Sequence, residues 1–255
     1  MSRENGRVLI TGAAGRIGTV LRHGLPAYGW SLRSLDLEPI ADPLPDEQIA
    51  TDLESGCAGV DAVVHLAAIP TERSFEEILH ANIETTFAAF DAARLAGVPR
   101  VIFASSIHAS GFSPPVPLLG VDEPPRPDTY YGISKLFGEN LARMYADRYG
   151  MRFACLRIGA FQPRPRGAHG RAHWLSHGDA VRLVHACLRA PQLGFSILYG
   201  RSNNARGWTD LSSGRELGYE PVDDAETFEW DEDYAEGLLG ASMTGPDYDA
   251  GRVQP

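Results

Sequence analysis

The sequence predicts an α/β protein with a doubly wound parallel sheet and a small C-terminal annex. Short apolar runs alternate with stretches of helical periodicity, an order that is typical of β-α-β units. Residues 61–68 and 101–106 are almost wholly apolar, as strands buried on both faces of a parallel sheet should be. A chain of 255 residues can form one large domain with an annex. We expect residues 1–160, with a strand at 195–199, to form the sheet domain and residues 161–255 to form mainly a substrate-binding annex.

The composition argues against several classes of partner. The net charge of -10 does not fit a phosphate backbone, because nucleic-acid binding needs concentrated Lys and Arg. No apolar run approaches the length of a membrane span, and the polar start predicts that there is no signal peptide. Cys57, Cys155 and Cys187 lie far apart, which favours buried thiols in a reduced compartment over a metal site. We therefore expect a cytoplasmic protein that binds no nucleic acid, membrane or metal.

Three glycines at regular spacing follow the first predicted strand, residues 8–10, and open a helical pattern. Gly12 provides a tight turn, Gly15 lets a ligand approach the backbone, and Gly18 allows the helix to pack closely on the strand. The free N–H groups at the start of the helix then face the bound anion. The sequence therefore predicts a Rossmann-type cradle for the pyrophosphate of a dinucleotide.

An acidic residue at the end of the second predicted strand, residues 30–36, indicates which dinucleotide is bound. Asp36 lies where a carboxylate accepts hydrogen bonds from the adenosine ribose and repels a 2′-phosphate. This position favours NAD over NADP as the cofactor. An ordinary surface aspartate is the alternative reading, and the nearby Arg16 and Arg33 leave NADP open.

The next elements add polar groups that the cofactor can reach. A short third strand, residues 48–53, ends at Asp52, whose side chain is placed to reach the adenine amino group. A long amphipathic helix over residues 74–97 contains Asn82, which is either a hydrogen-bonding partner of the cofactor or a solvent-facing residue. His65, within the apolar fourth strand, is expected to be structural.

Three residues predict the chemistry. The fifth strand ends at Ser106, and a proline-rich loop over residues 111–128, typical of a binding loop, leads to a helix in which Tyr131 and Lys135 are four residues apart. A phenol loses its proton near about pH 10, and an ammonium one helical turn away stabilises the phenolate and lowers its pKa. With Ser106 to hold the reacting oxygen and a nicotinamide to take a hydride, this set predicts alcohol oxidation.

The sequence resembles the extended branch of the short-chain dehydrogenase/reductase superfamily, which includes NAD-dependent epimerases and dehydratases. The glycine spacing and the Tyr-x-x-x-Lys pair carry the resemblance, which covers the chain from about residue 8 to residue 230. Within the branch the sequence is most similar to the uronate dehydrogenases, which oxidise the C1 hemiacetal of a hexuronate to a lactone. The shared segments are residues 11–15, 103–108, 131–145, 157–159 and 174–179.

The resemblance implies that Ser106, Tyr131 and Lys135 are catalytic. Together with the glycine loop and Asp36, it gives a set of residues expected to contact NAD. That set is Gly12, Ala14, Gly15, Arg16, Ile17, Gly18, Asp36, Leu37, Asp52, Leu53, Leu66, Ala67, Ala68, Asn82, Ala104, Ser105, Tyr131, Lys135 and Ile158.

The substrate end of the resemblance shows departures. Four positions with polar substrate contacts in the uronate dehydrogenases carry Pro70, Ile107, Ala160 and His169. Because buried hydrogen-bond partners discriminate strongly between substrates, we expect these changes to alter the accepted molecule. Arg164, Arg166 and Arg171 lie in one loop that is either an anion site or a solvated basic segment. The expected substrate contacts are Pro70, Ser106, Ile107, His108, Ala160, His169 and Arg171.

The prediction is therefore an NAD-dependent oxidoreductase that acts on a hydroxyl or hemiacetal of a sugar, uronate or related small polyhydroxy compound. One alternative is a nucleotide-sugar epimerase or dehydratase, although few residues remain after the sixth strand to bind a nucleotide. A catalytically silent NAD sensor is the other, and the presence of both Tyr131 and Lys135 counts against it. Members of the superfamily commonly pair through the helices at residues 74–97 and 131–149, so we expect a homo-oligomer.

Overall fold

The computed structural model describes residues 5–230 and 237–240. The strands in this part of the chain are β1 (Arg7–Thr11), β2 (Ser31–Leu35), β3 (Gln48–Ile49), β4 (Ala62–His65), β5 (Arg100–Ser106), β6 (Arg152–Ile158), β7 (Ala160–Phe161), β8 (Trp174–Leu175) and β9 (Phe195–Gly200). Seven of them form a parallel sheet in the order β3-β2-β1-β4-β5-β6-β9, while β7 pairs with β8. The predicted doubly wound α/β fold is confirmed. The strand order reverses between β1 and β4, where such sheets bind ligands.

Helices cover both faces of this sheet. They are α1 (Arg16–Gly24), α2 (Leu53–Cys57), α3 (Phe75–Ile78), α4 (Thr85–Leu95), α5 (Tyr130–Tyr149), α6 (Gly167–His173), α7 (His177–Arg189) and α8 (Ser212–Glu216). The buried apolar side chains form two hydrophobic cores. The first core contains residues of α1 and α7, and the second contains residues of α4 and α5. Along β1, Val8 and Ile10 face the first core and Leu9 faces the second, the alternation expected of a strand buried on both sides.

Two predicted elements differ in detail. The helix expected over residues 74–97 is interrupted by a π-helical turn at Leu79–Glu84, which separates α3 from α4. The third strand ends at Ile49 instead of continuing to residue 53, because Asp52 begins α2. Its carboxylate accepts a hydrogen bond from the backbone N–H of Ser55 at 2.7 Å, and this contact caps the helix.

The three cysteines and His65, which were expected to be structural, are buried. Cys57, Cys155 and Cys187 are buried free thiols. His65 is buried between the hydroxyls of Thr11 and Thr86, and burial lowers its pKa to about 3, so the ring is neutral at physiological pH. Among the described helices, none combines the length and the apolar character needed to cross a membrane.

Candidate active site

A cavity of about 390 Å³ lies at the carboxyl ends of β1, β4, β5 and β6. Most of the predicted site residues line it. These are Gly12, Gly15, Arg16, Ile17, Gly18, Leu66, Ala68, Pro70, Ala104, Ser105, Ser106, Ile107, His108, Tyr131, Lys135, Ile158, Ala160 and His169. The predicted residues outside the lining are Ala14, Asp36, Leu37, Asp52, Leu53, Ala67, Asn82 and Arg171. Gly159, Phe161 and Gln162 complete the lining and are absent from the sequence prediction.

The glycine loop forms one end of the cavity. Gly12 has a φ of 70°, and a Cβ there would lie 2.7 Å from the backbone nitrogen of Ala67. A Cβ at Gly18 would lie 2.3 Å from the carbonyl oxygen of Gly12, so α1 packs directly on the turn. Gly15 begins α1 without a side-chain cap, which leaves the first N–H groups of the helix for an anion. This geometry fits the pyrophosphate of a dinucleotide.

Asp36 ties the glycine loop to the end of β2. Its carboxylate accepts the N–H of Ala14 at 2.8 Å and the N–H of Glu38 at 3.0 Å. Arg33 donates to the Gln48 side chain and to three backbone carbonyl oxygens in and after α2. Its guanidinium is thus engaged inside the protein and is not held for a 2′-phosphate. The Asp36 carboxylate is thus fixed beside the glycine loop, at the end of β2.

Asn82, Asp52 and Leu53 lie outside the cavity lining and make contacts within the protein. The Asn82 amide accepts the N–H of Ile69 at 2.9 Å and donates to the carbonyl oxygen of Ile69 and to Ser134, each at 3.1 Å. It therefore joins the loop after β4 to α5. Asp52 is the N-cap of α2 and Leu53 is its first residue, so the structure gives Asp52 a capping role beside the predicted contact with the cofactor.

Tyr131 and Lys135 lie in the first turns of α5 beside Ser106. The Lys135 ammonium is 5.4 Å from the centre of the Tyr131 ring and 5.3 Å from that of Phe103. Burial lowers the pKa of Lys135 to about 8. Burial also raises the pKa of Tyr131, while a hydrogen bond with Ser106 opposes the rise and the charge of Asp128 adds to it. The pKa of Tyr131 is therefore raised and not lowered as expected, because burial of the phenolate is the largest effect on it.

Asp128, which the sequence analysis missed, holds His108 beside the phenol. One carboxylate oxygen lies 2.8 Å from Nδ1 of His108, and the other accepts the Thr129 hydroxyl at 2.9 Å. The His108 ring packs edge-on against the Tyr131 ring, with 5.8 Å between their centres. His108 therefore faces the cavity in an orientation that Asp128 fixes.

Glu72 is a second residue that the sequence analysis missed. Its buried carboxylate lies at the N-terminus of α5. It accepts the N–H groups of Tyr130 and Tyr131 at 3.0 and 2.8 Å. A carboxylate here satisfies N–H groups without helical partners and favours the helix dipole. Glu72 thus fixes the turn that carries Tyr131. Its partner Tyr130 is 58 residues further along the chain, so no local pattern announces the contact.

Ser105 lines the cavity, but its hydroxyl is engaged on the protein side. It donates to Glu139 at 2.6 Å, and Glu139 forms a bidentate ion pair with Arg157 at 3.0 and 2.9 Å. Burial disfavours the charge of Arg157, but the hydrogen bonds to Glu139 outweigh this effect and raise its pKa. This buried pair joins α5 to β6 below the catalytic residues.

The opposite end of the cavity, which we call the substrate end, is formed by residues that follow β4, β5 and β6 and by α6. They are Pro70, Ile107, Ala160, Phe161, Gln162 and His169. Arg171, predicted to contact substrate, instead forms a bidentate ion pair with Glu226 at 2.8 Å and lies 4.8 Å from the Trp230 ring centre. Within the described residues, no group of three or more His, Cys, Asp or Glu side chains is arranged to hold a metal ion.

A pyrophosphate cradle that leads to a Ser, Tyr and Lys set at the carboxyl edge of a parallel sheet defines a dinucleotide-dependent oxidoreductase. Residues 8–178 match the model of the NAD dependent epimerase/dehydratase family. The chain belongs to this family, and it is an NAD-dependent dehydrogenase of the extended short-chain type.

Known relatives extend over most of the chain. It is 43% identical over 230 residues to a uronate dehydrogenase from Pseudomonas putida, covering 87% of this chain and 86% of that protein. It is 32% identical over 251 residues to an L-arabinose 1-dehydrogenase (NAD(P)(+)) from Haloferax volcanii, covering 87% and 98%. A crystal structure of a mutant uronate dehydrogenase from Agrobacterium tumefaciens complexed with NAD superimposes with a TM-score of 0.86 at 40% identity, covering 93% and 96%.

Proposed function

We propose that this dehydrogenase oxidises the C1 hemiacetal hydroxyl of a small sugar to a lactone. The observation that carries the proposal is the position of Ser106, Tyr131 and Lys135 in one cavity, between the glycine loop and the substrate end. The names of two relatives support it, since one acts on a uronate and the other at position 1 of L-arabinose.

The reaction balances as sugar plus NAD⁺ giving lactone, NADH and a proton. The C1–H bond breaks, the hydroxyl proton leaves to the protein, and the C1–O bond becomes a carbonyl. Bound NAD supplies the acceptor for the hydride. The chain's own residues hold the sugar hydroxyl and remove its proton.

In this proposal Tyr131 is the base. Its phenolate takes the proton of the hydroxyl, which the side chain of Ser106 holds. Lys135 stabilises the phenolate while it remains charged, that is, below a pH of about 8. His108, fixed by Asp128, contacts the sugar beside the reacting carbon.

We assign the cofactor to the glycine loop and its neighbours. The N–H groups in the first turn of α1 would hold the pyrophosphate, and Asp36 would hold the adenosine ribose. Tyr131, Lys135 and Ser106 border the nicotinamide end. The helix α6 and the β7–β8 pair belong to the substrate-binding annex.

The test follows NADH formation when the protein is mixed with NAD and a panel of aldoses, uronates and polyols. We expect reduction with at least one sugar, and loss of at least about 100-fold in kcat in Tyr131→Phe with NAD affinity retained. NAD binding with the same turnover in Tyr131→Phe would contradict the assignment of the base. A lactone product, found by its hydrolysis to an aldonate, identifies C1 as the oxidised carbon.

A nucleotide-sugar epimerase or dehydratase fits the site less well. A nucleotide would have to enter a cavity of about 390 Å³ that also holds the nicotinamide end of the cofactor. Tightly bound NADH after mixing with a nucleotide sugar, without net NAD reduction by any free sugar, would favour this alternative.

Three further proposals concern the protein's surroundings. The free buried thiols and the absence of a helical membrane span from the described residues support a cytoplasmic enzyme. The acidic net charge of -10 supports the absence of a nucleic-acid partner.

Association into a homo-oligomer is supported by exposed apolar side chains on α4 and α5, namely Phe87, Leu95, Ile133 and Met144. Light scattering of the eluting protein measures its mass, and a monomer would contradict this last proposal.

A further inference from the structure

Among the described residues, the substrate end carries no permanently charged side chain. The Lys and Arg residues that line the cavity in this part of the chain are Arg16 and Lys135. Arg16 is the first residue of α1, at the glycine loop, and Lys135 lies in α5 beside the phenol. Both cations therefore belong to the cofactor and to the catalytic base, and neither is part of the substrate end.

The histidine of the substrate end is neutral. Burial lowers the pKa of His169 to about 4, and the charge of His108 adds to the effect. Behind it, 5.2 Å away between ring centres, His173 is buried and its pKa is lowered well below the ordinary value. At neutral pH neither ring carries the positive charge that would hold a carboxylate.

The arginines near His169 do not supply the positive charge that its ring lacks. Arg171 is held by Glu226, and Arg201 is buried and donates its hydrogen bonds to oxygen atoms of its own loop. Arg164 and Arg166 are exposed and lie outside the cavity lining. A carboxylate at the substrate end would therefore lose its hydration without gaining an ionic partner, which is costly.

Gln162 brings an unpartnered hydrogen-bond acceptor to the substrate end. Its side-chain oxygen Oε1 is buried and has no hydrogen-bond partner among the described residues. The residue is held in place because its backbone oxygen accepts the Trp174 indole N–H at 2.7 Å. A buried acceptor needs a donor, and a sugar hydroxyl can supply one. A carboxylate cannot, since it has only acceptor oxygens.

We propose that the sugar is uncharged at the end remote from C1, and that one of its hydroxyls donates to the Gln162 amide oxygen. The enzyme then acts on neutral aldoses in preference to hexuronates, unlike the function in the names of its uronate dehydrogenase relatives. This inference rests on the proposed sugar oxidation. It follows from the absence of a cation among the described residues of the substrate end and from the unpartnered Gln162 acceptor, which point to the same substrate class.

The experiment compares sugars that differ only at C6. Initial rates of NAD reduction are measured at pH 7 for glucose against glucuronate and for galactose against galacturonate, with L-arabinose and xylose as sugars that lack C6. We expect kcat/KM to be about 10- to 100-fold higher for the neutral member of each pair. Higher kcat/KM for both uronates would overturn the inference while leaving the proposed function intact. A failure of every sugar to reduce NAD would count against the proposed function itself.

Two variants test the residues. His169→Arg supplies a cation and should raise kcat/KM for the uronates by about tenfold or more, whereas the neutral control His169→Gln should not. Gln162→Leu removes the acceptor at similar size and should lower kcat/KM for the neutral sugars by about 10- to 100-fold, through KM. Unchanged NAD affinity shows that each variant is folded. An unaltered KM in Gln162→Leu would contradict the hydroxyl contact.

Discussion

Replacing Lys135 with Met should stabilise the protein and abolish catalysis. Lys135 is 4% exposed, and among the described residues no carboxylate forms an ion pair with its ammonium. Burial lowers its pKa from 10.5 to about 8, which corresponds to about 3 kcal/mol for keeping the charge in the fold at neutral pH. Contacts with the Phe103 and Tyr131 rings offset about 1 kcal/mol. Met is a flexible apolar side chain of similar length, so we expect a net gain of about 2 kcal/mol.

The sign of the pH dependence follows from the same group. The unfolded chain keeps the ordinary pKa of 10.5, so between about pH 8 and pH 10.5 it binds a proton that the folded protein has lost. The folded state is therefore destabilised by Lys135 below about pH 8 and recovers as pH rises toward 10.5. The advantage of Lys135→Met should be full at pH 7 and should shrink at pH 10.

The assay is urea unfolding of both proteins at pH 7 and pH 10, with Lys135→Arg as a control that keeps the charge buried. A gain of about 2 kcal/mol corresponds to a Tm about 4 to 8 °C higher. Equal stability of the wild type and the Met variant at pH 7, or a gain that does not change with pH, would refute the reasoning. Since Lys135 is the only lysine in the sequence, the pH dependence of its acylation also reports its pKa, expected to be about 8.

The other predictions concern the cofactor and the catalytic residues. The value of kcat/KM should rise with pH as Tyr131 gains phenolate and should level off at about pH 8, where Lys135 loses its charge. The variant Lys135→Arg, if it retains activity, should level off at a higher pH. Levelling at the same pH in this variant would contradict the role of the lysine. Gly15→Ala places a Cβ 3.2 Å from the carbonyl oxygen of Gly12, a contact that a shift of a few tenths of an ångström relieves, so the fold should survive. NAD affinity should fall about tenfold in a titration, and full affinity would show that the pyrophosphate lies elsewhere. Asp128→Asn removes the carboxylate that orients His108 and should lower kcat/KM by about tenfold or more without loss of NAD binding, and an unchanged value would leave the pair without a catalytic role.

The sequence predicts the sheet and the cofactor end of the site because the signals there are local. Apolar runs identify the buried strands, and the glycine spacing identifies a turn that admits no Cβ at Gly12 or Gly18. The four-residue spacing of Tyr131 and Lys135 also needs only helical geometry. Such features depend on residues that are neighbours in the chain.

The remaining features depend on partners distant in the chain. Glu72 caps α5 from 58 residues before Tyr130, and Glu226 forms an ion pair with Arg171 from 55 residues further along the chain. The direction of the Tyr131 pKa also depends on burial, which spacing alone does not give. Gln162 is recognisable as a contact only when its oxygen is seen to be buried without a partner.

Hydride transfer from C1 of a sugar is tested most directly by the fate of that hydrogen. An aldose that carries deuterium at C1 is incubated with the enzyme and NAD, and the reduced cofactor is analysed by mass spectrometry. The proposed function predicts NADH with one deuterium, a lactone or its aldonate as product, and loss of both in Tyr131→Phe. Formation of NADH without deuterium would contradict oxidation at C1, since the hydride would then come from another carbon.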